Sequence, residues 1–179
     1  MIPDNEPESA KSTYELYIMR HGIAVARGTE DSSDDSKRPL TPQGKEKMRD
    51  IAKGLKRLGV ELDWIVSSPL VRAVETAEIV ATTLDPNTPI DRSEVLSPGG
   101  PPEALVSFLA KHPSRRRVLL TGHEPDLGEL AARLVGAGRH ASLAFKKGGC
   151  CLITFDQFPP KSAGQLVWWL TPRVMRKLG

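Results

Sequence analysis

Histidines and arginines stand at points of this chain where a fold would gather them. His21 follows Arg20 in the run Tyr17-Ile18-Met19-Arg20-His21-Gly22, and Arg38 precedes Pro39-Leu40-Thr41. Arg72 follows Ser67-Ser68-Pro69, and His123 lies in Gly122-His123-Glu124-Pro125. A guanidinium is a planar fork that takes two phosphate oxygens at once and stays charged at every relevant pH. Arg20 and Arg72 together balance a phosphate dianion, and Arg38 is a third candidate for the same anion. A neutral imidazole nitrogen can attack phosphorus and form a covalent phosphohistidine that water later hydrolyses. Neighbouring arginine charges disfavour protonation of His21 and keep it nucleophilic near neutral pH, while His123 can donate a hydrogen bond to a phosphoryl oxygen. The chemistry these residues suit is phosphoryl transfer, in which positioning and charge stabilisation supply most of the acceleration. Taken singly each signal is weak, because Arg-His-Gly recurs by chance, Arg72 alone reads as a helix-surface charge and His123 alone as a loop histidine.

What joins them is the order of elements. Residues 14–19 are rich in β-formers and predict a first strand that ends at Arg20-His21-Gly22. Residues 28–38 have no periodicity and read as a polar loop, plain flexible surface or else a mobile lid, whose acidic part, residues 29–35, either steers a basic partner or is disordered. Thr41 as N-cap and Pro42 at the first helical position open a helix with apolar residues at Met48, Ile51, Ala52, Leu55 and Leu58, stopped by Gly59. Residues 62–67 predict a second strand. Ser68 and Pro69 repeat the cap-and-proline signal, and Leu70, Ala73, Ala77, Val80, Ala81 and Leu84 line one face of the helix that follows. A short extended piece around Ile90, a helix over 103–111, a buried strand over 117–121 and a helix burying Leu127, Leu130, Ala131 and Leu134 complete the middle of the chain. Residues 150–155 and 165–170 read as a late hairpin.

This alternation predicts a three-layer α/β/α sandwich with a mostly parallel central sheet. Loops after the carboxyl ends of such strands gather along one edge, where ligands bind at the point of strand-order reversal. Three strand ends then deliver Arg20 and His21, Ser67, Ser68 and Arg72, and His123 to one place. The helix expected to begin at Pro69 would add its N-terminal amides if it pointed at the same anion. Residues 14–179 read as a single domain preceded by a disordered tail over 1–13.

Composition narrows the alternatives. The 179 residues are 39% apolar and 26% charged, the proportions of an ordinary soluble globular chain. The first residues carry Pro3 and Pro7 and no apolar run, which fits neither a secretory signal nor a membrane anchor, and no apolar window reaches bilayer length. The adjacent Cys150 and Cys151 suit neither an ordinary disulfide nor a zinc site, so cytoplasm is the default compartment. The net charge of +3 is mild, and the basic clusters at Arg115-Arg116-Arg117 and over 173–177 are short and lack interleaved aromatics, against nucleic-acid binding. His112 and His140 read as surface residues, and the expected state is a monomer.

The same residues resemble the histidine phosphatase superfamily, also called phosphoglycerate mutase-like, and within it the small SixA-like phosphohistidine phosphatases. The resemblance rests on Met19-Arg20-His21-Gly22, Arg38-Pro39-Leu40-Thr41 with Gly44, Ser67-Ser68-Pro69 with Arg72-Ala73 and Glu75-Thr76-Ala77, Gly122-His123-Glu124-Pro125, and the closing Leu170-Thr171-Pro172. It implies that His21 is the phosphorylated nucleophile, that Arg20, Arg72 and His123 complete the phosphate pocket with Arg38 as an additional arginine, and that no metal or other cofactor is needed. Larger superfamily members carry an acidic proton donor in an insertion that is short here, which leaves Glu94, Glu103, Glu124 and Asp126 as the available carboxylates. The substrate implied is phosphohistidine in a protein, such as a histidine-containing phosphotransfer domain. A small phosphorylated metabolite is the alternative, and a phosphate-binding module without turnover is the further one.

Overall fold

The computed structural model describes residues 13–28, 34–138, 141 and 143–179. The expected tail therefore lies outside the described residues except for Thr13, as do His140 and most of the acidic stretch. The chain runs β1 (Tyr14–Arg20), α1 (Pro42–Arg57), β2 (Trp64–Ser67), α2 (Val71–Leu84), β3 (Ile90–Arg92), α3 (Pro102–Ala110), β4 (Arg117–Gly122), α4 (Asp126–Leu134), β5 (Cys150–Phe155), β6 (Gln165–Leu170) and α5 (Pro172–Leu178). A six-stranded sheet takes the order β3-β2-β4-β1-β5-β6.

Strand alternation assigns the layers. Tyr14, Leu16 and Ile18 of β1 pack with Leu105 and Leu109 of α3 and with Leu127, Leu130 and Leu134 of α4. Tyr17 and Met19 point to the other side, where Met48, Ile51 and Leu55 of α1, Ala77 and Val80 of α2, and Met175 of α5 meet them. Period-two alternation thus lets one strand serve two cores, and the result is the expected α/β/α sandwich. The sheet is more mixed than expected. β1, β2, β3 and β4 run parallel, but β5 pairs antiparallel with β1 and with β6. For β5 and β6 the reason is local: the connection between them holds no crossover helix, so the two strands pair as a hairpin. On β6, Leu166 and Val167 remain exposed at the sheet edge, an apolar feature the sequence reading did not foresee.

The N-terminus of α1 forms as its signals require, with the Thr41 hydroxyl accepting the Gly44 N–H at 2.9 Å. Gly44 itself is dictated by packing, since a Cβ there would lie 2.1 Å from the Ile23 carbonyl oxygen. That contact presses α1 onto the loop leaving β1. The second start signal works differently. α2 begins at Val71 rather than Pro69, with Leu70 as the flanking residue and no side-chain cap. The Ser68 hydroxyl has a stronger partner than a helix amide, as described below. The expected loop over 28–38 also contains structure, a 3-10 turn at Asp35–Lys37 capped by Asp34, whose carboxylate accepts Ser36 N. His112, expected at the surface, is half-buried and lies against Trp64, with ring centroids 4.6 Å apart.

Candidate active site

The sheet order places the ends of β2, β4 and β1 side by side. Connections leaving β1 and β4 cover opposite faces of the sheet, so their carboxyl ends frame a crevice. Backbone hydrogen bonds lock the three tips together: His21 N donates to Gly122 O at 3.0 Å, and Ser68 N donates to Thr121 O at 2.9 Å. Register alone therefore brings His21, Ser68 and His123 next to one another.

The rings of His21 and His123 are 5.2 Å apart, centroid to centroid. Both side chains are buried. His21 Nδ1 lies 2.7 Å from Gly22 O, and because a carbonyl only accepts, Nδ1 carries the proton and Nε2 keeps its lone pair. Gly22 is held for this task from below. Its N–H donates to Thr76 Oγ1 at 3.1 Å, Thr76 in turn donates to Arg72 O, and a Cβ on Gly22 would lie 2.7 Å from Met48 Cγ.

His123 Nε2 lies 2.8 Å from Ser68 Oγ. That oxygen also accepts Leu70 N at 3.3 Å and has its own proton to donate to Nε2. Nδ1 of His123 is then the N–H nitrogen, and it has no partner among the described residues. Ser68 thus sets the tautomer of His123, where sequence reasoning cast it as a helix cap. Sequence offered no signal to separate the two roles.

The arginines arrive from three elements. Arg20 ends β1 and donates from Nη1 to Phe145 O at 2.8 Å. Arg38 reaches the site because residues 38–40 pair with the loop after β1 through Val25 N to Pro39 O and a bridge between Ala24 and Leu40, and its Nη1 donates to Val25 O. Arg72 lies in the first turn of α2, where a cation opposes the helix dipole. Nε of Arg20 and Nε of Arg72 are buried without a partner among the described residues. Orphaned donors of this kind call for an anion. Asp35 pairs with both Arg38 and Arg72, at 2.8 and 3.0 Å; the sequence reading had placed it only in a polar loop.

Arg20, His21, Arg38, Arg72 and His123 line a cavity of about 410 Å³ with Ala24, Val25, Arg27, Pro98, Glu124 and Lys147. Clefts of about 520 and 540 Å³ open at the far end of the sheet beside the β5–β6 turn, but neither holds a histidine. The cavity equipped for phosphate chemistry is the one at the strand tips. Of the four carboxylates considered as proton donors, only Glu124 lines it. Glu94 accepts the Ser97 hydroxyl, Glu103 pairs with Arg133, and Asp126 accepts Gly99 N. Burial raises the Glu124 carboxyl, against the N–H of Phe145 that it accepts at 3.1 Å. Through Phe145, whose carbonyl receives Arg20, Glu124 also helps to fix that guanidinium.

Burial pushes His21 down to about 3, and the charges of His123, Arg72 and Arg20 add to this against the Gly22 hydrogen bond. Burial and Arg72 bring His123 down to about 4. Both imidazoles are therefore neutral at physiological pH. An unfolded chain takes up protons at ordinary histidines near about 6.5 that the folded chain refuses, so stability is full above that pH and falls as pH drops towards the folded values. In an NMR titration of the free protein, the ring resonances of both residues are expected to stay at neutral positions from about pH 8 down to about pH 5. A His21 midpoint near the ordinary histidine value would contradict the assigned electrostatics.

Comparison with known proteins agrees with this architecture. The family described as the histidine phosphatase superfamily (branch 1) matches residues 16–97, and similarities over most of the chain's length run to SixA. Phosphohistidine phosphatase SixA of Escherichia coli is 29% identical over 160 residues, which cover 88% of this chain and 94% of that protein. The structure of the protein histidine phosphatase SixA complexed with tungstate superposes with a TM-score of 0.76 at 28% identity, over 90% of this chain and 99% of the other. An uncharacterised protein of Picosynechococcus is 37% identical over 138 residues, covering 75% of this chain and 81% of its own length.

Proposed function

We propose that the protein is a phosphatase that works through a phosphorylated His21 and that its substrate is phosphohistidine in another protein. The observation that carries the reaction is the His21 tautomer: a neutral ring with Nδ1 tied to Gly22 O and Nε2 left as the nucleophile, among arginines. Nε2 attacks phosphorus as the bond to the leaving imidazole nitrogen breaks, and the electron pair of that bond stays with the leaving ring, which takes a proton from solvent. Arg20, Arg38 and Arg72 take the phosphoryl oxygens, and the Nδ1–H of His123 donates to one of them. Water then attacks phospho-His21, releasing inorganic phosphate and restoring Nε2. A protein substrate is supported by the strand-tip cavity, lined by two histidines and the three candidate phosphate-binding arginines, and by the chain's likeness to the phosphohistidine phosphatase SixA.

The test sets a phosphorylated histidine-containing phosphotransfer domain against a panel of sugar, nucleotide and amino-acid phosphates, with and without EDTA. The phosphoprotein is expected to turn over fastest, by about tenfold or more in kcat/KM, which corresponds to about 1.4 kcal/mol of differential transition-state binding, and EDTA is expected to leave the rate unchanged. Faster turnover of a small phosphomonoester would reassign the substrate to a metabolite.

A further inference from the structure

We propose that Asp35 is the positioning residue that sets Arg38 and Arg72 for the phosphoryl group, an inference that rests on the phosphatase reading of the site. Asp35 Oδ1 accepts from Arg38 Nε at 2.9 Å and Nη2 at 2.8 Å, and from the exposed Arg27 Nε at 2.9 Å. Its Oδ2 accepts from Arg72 Nη2 at 3.0 Å, and its backbone oxygen accepts from Arg72 Nη1 at 2.7 Å. One residue therefore orients two guanidinium planes, one carried by the loop before α1 and the other by the first turn of α2.

The arrangement has an electrostatic reason. Arg38 and Arg72 are 9% and 3% exposed, and two buried like charges held close together without a counter-ion are costly. Arg72 is opposed by the dipole of its own helix as well. Asp35 offsets both penalties while the site waits for substrate. Burial pushes its carboxyl up, but the Arg38 hydrogen bond and the Arg72 charge outweigh that and hold it at about 2, so the carboxylate is ionised near neutral pH.

A carboxylate on phosphate-binding arginines has two possible actions, and they differ in sign. It can occupy the place of phosphate and compete with it, or it can stand behind the arginines and orient them. Asp35 does not line the strand-tip cavity, whereas Arg38 and Arg72 do. Each terminal nitrogen that Asp35 engages keeps a second hydrogen, and Arg72 Nε has no partner among the described residues. The carboxylate thus holds the two arginines from outside the cavity lining and leaves donors for the cavity.

Removing a negative charge from beside an anion site tightens anion binding if charge alone matters, and weakens it if orientation matters more. Asp35→Asn keeps the shape and removes the charge. Vanadate and inorganic phosphate affinity, measured by titration calorimetry, is expected to fall about tenfold in this variant, with kcat/KM falling about 10- to 100-fold, as misplaced charge stabilisers do. Asp34→Asn disturbs the same turn without touching an arginine, and its vanadate affinity is expected to stay within about twofold of the parent. Unchanged or tighter vanadate binding by folded Asp35→Asn overturns the proposal, as does an equal loss in Asp34→Asn. A wild-type protein that binds vanadate but turns over no phosphorylated substrate overturns the phosphatase reading instead, and leaves the orientation result to be read from binding alone.

Discussion

His21→Ala is expected to lower turnover by about 10⁴-fold or more, the scale set by removing the nucleophile from a covalent mechanism. No other group in the site replaces it. His123 has its Nε2 against the Ser68 hydroxyl, and its remaining nitrogen carries a proton. The cysteines are buried in the sheet, and burial raises both thiols far from thiolate formation at neutral pH. The variant should still fold, because the backbone bond from residue 21 to Gly122 O does not involve the side chain, and it should still bind vanadate through the arginines. With the wild-type protein, rapid quenching without acid should trap phosphate on His21, identified by mass spectrometry of the labelled peptide. Equal phosphate release by His21→Ala would remove the basis of the mechanism.

Arg72→Ala is expected to cost about 10²- to 10³-fold in kcat/KM, or about 2.7–4 kcal/mol of transition-state stabilisation, as when a preorganised donor is removed from developing charge. Arg72→Lys should recover little of this, since an ammonium does not reproduce the planar fork. The loss has a signature that a packing defect lacks. The Arg72 charge helps to hold down both His21 and His123, so its removal should raise the titration midpoints of both rings, visible in the same NMR experiment. Removal also leaves Asp35 with fewer partners while Arg38 keeps its own hydrogen bonds, so anion affinity should fall without loss of the fold. A variant with normal kcat/KM would place Arg72 outside the phosphate site.

Edge strand β6 was legible as a strand but not as an edge. Its pattern Gln-Leu-Val-Trp-Trp-Leu gives β propensity and no partner count, and exposure of Leu166 and Val167 depends on its ending the sheet. The central parallel strands β2 and β4 behaved differently: their short continuous apolar runs, buried on both faces, identify them without neighbours, as in residues 118–120 of β4. α1 was legible at its start because Thr41, Pro42 and Gly44 are local signals acting within one turn. Ser68 misled for the same reason. A serine before a proline has the local grammar of a cap, while its actual partner, His123, is 55 residues away.

The sequence by itself determined the candidate inventory: a histidine after the first strand, a second histidine after β4, and arginines at 20, 38 and 72, with the alternation of strands and helices that sends them to one edge. Residue type and periodicity carry that information because they act over a few positions along the chain. Only the tertiary structure decided which imidazole nitrogen is free, through the Gly22 carbonyl and the Ser68 hydroxyl. It alone chose Glu124 as the carboxylate that lines the cavity and gave Asp35 the two arginines it holds. Hydrogen-bond direction and the pairing of buried charges are properties of contacts over a few ångströms, and residues far apart in the chain make those contacts only after the strand tips have been brought into register.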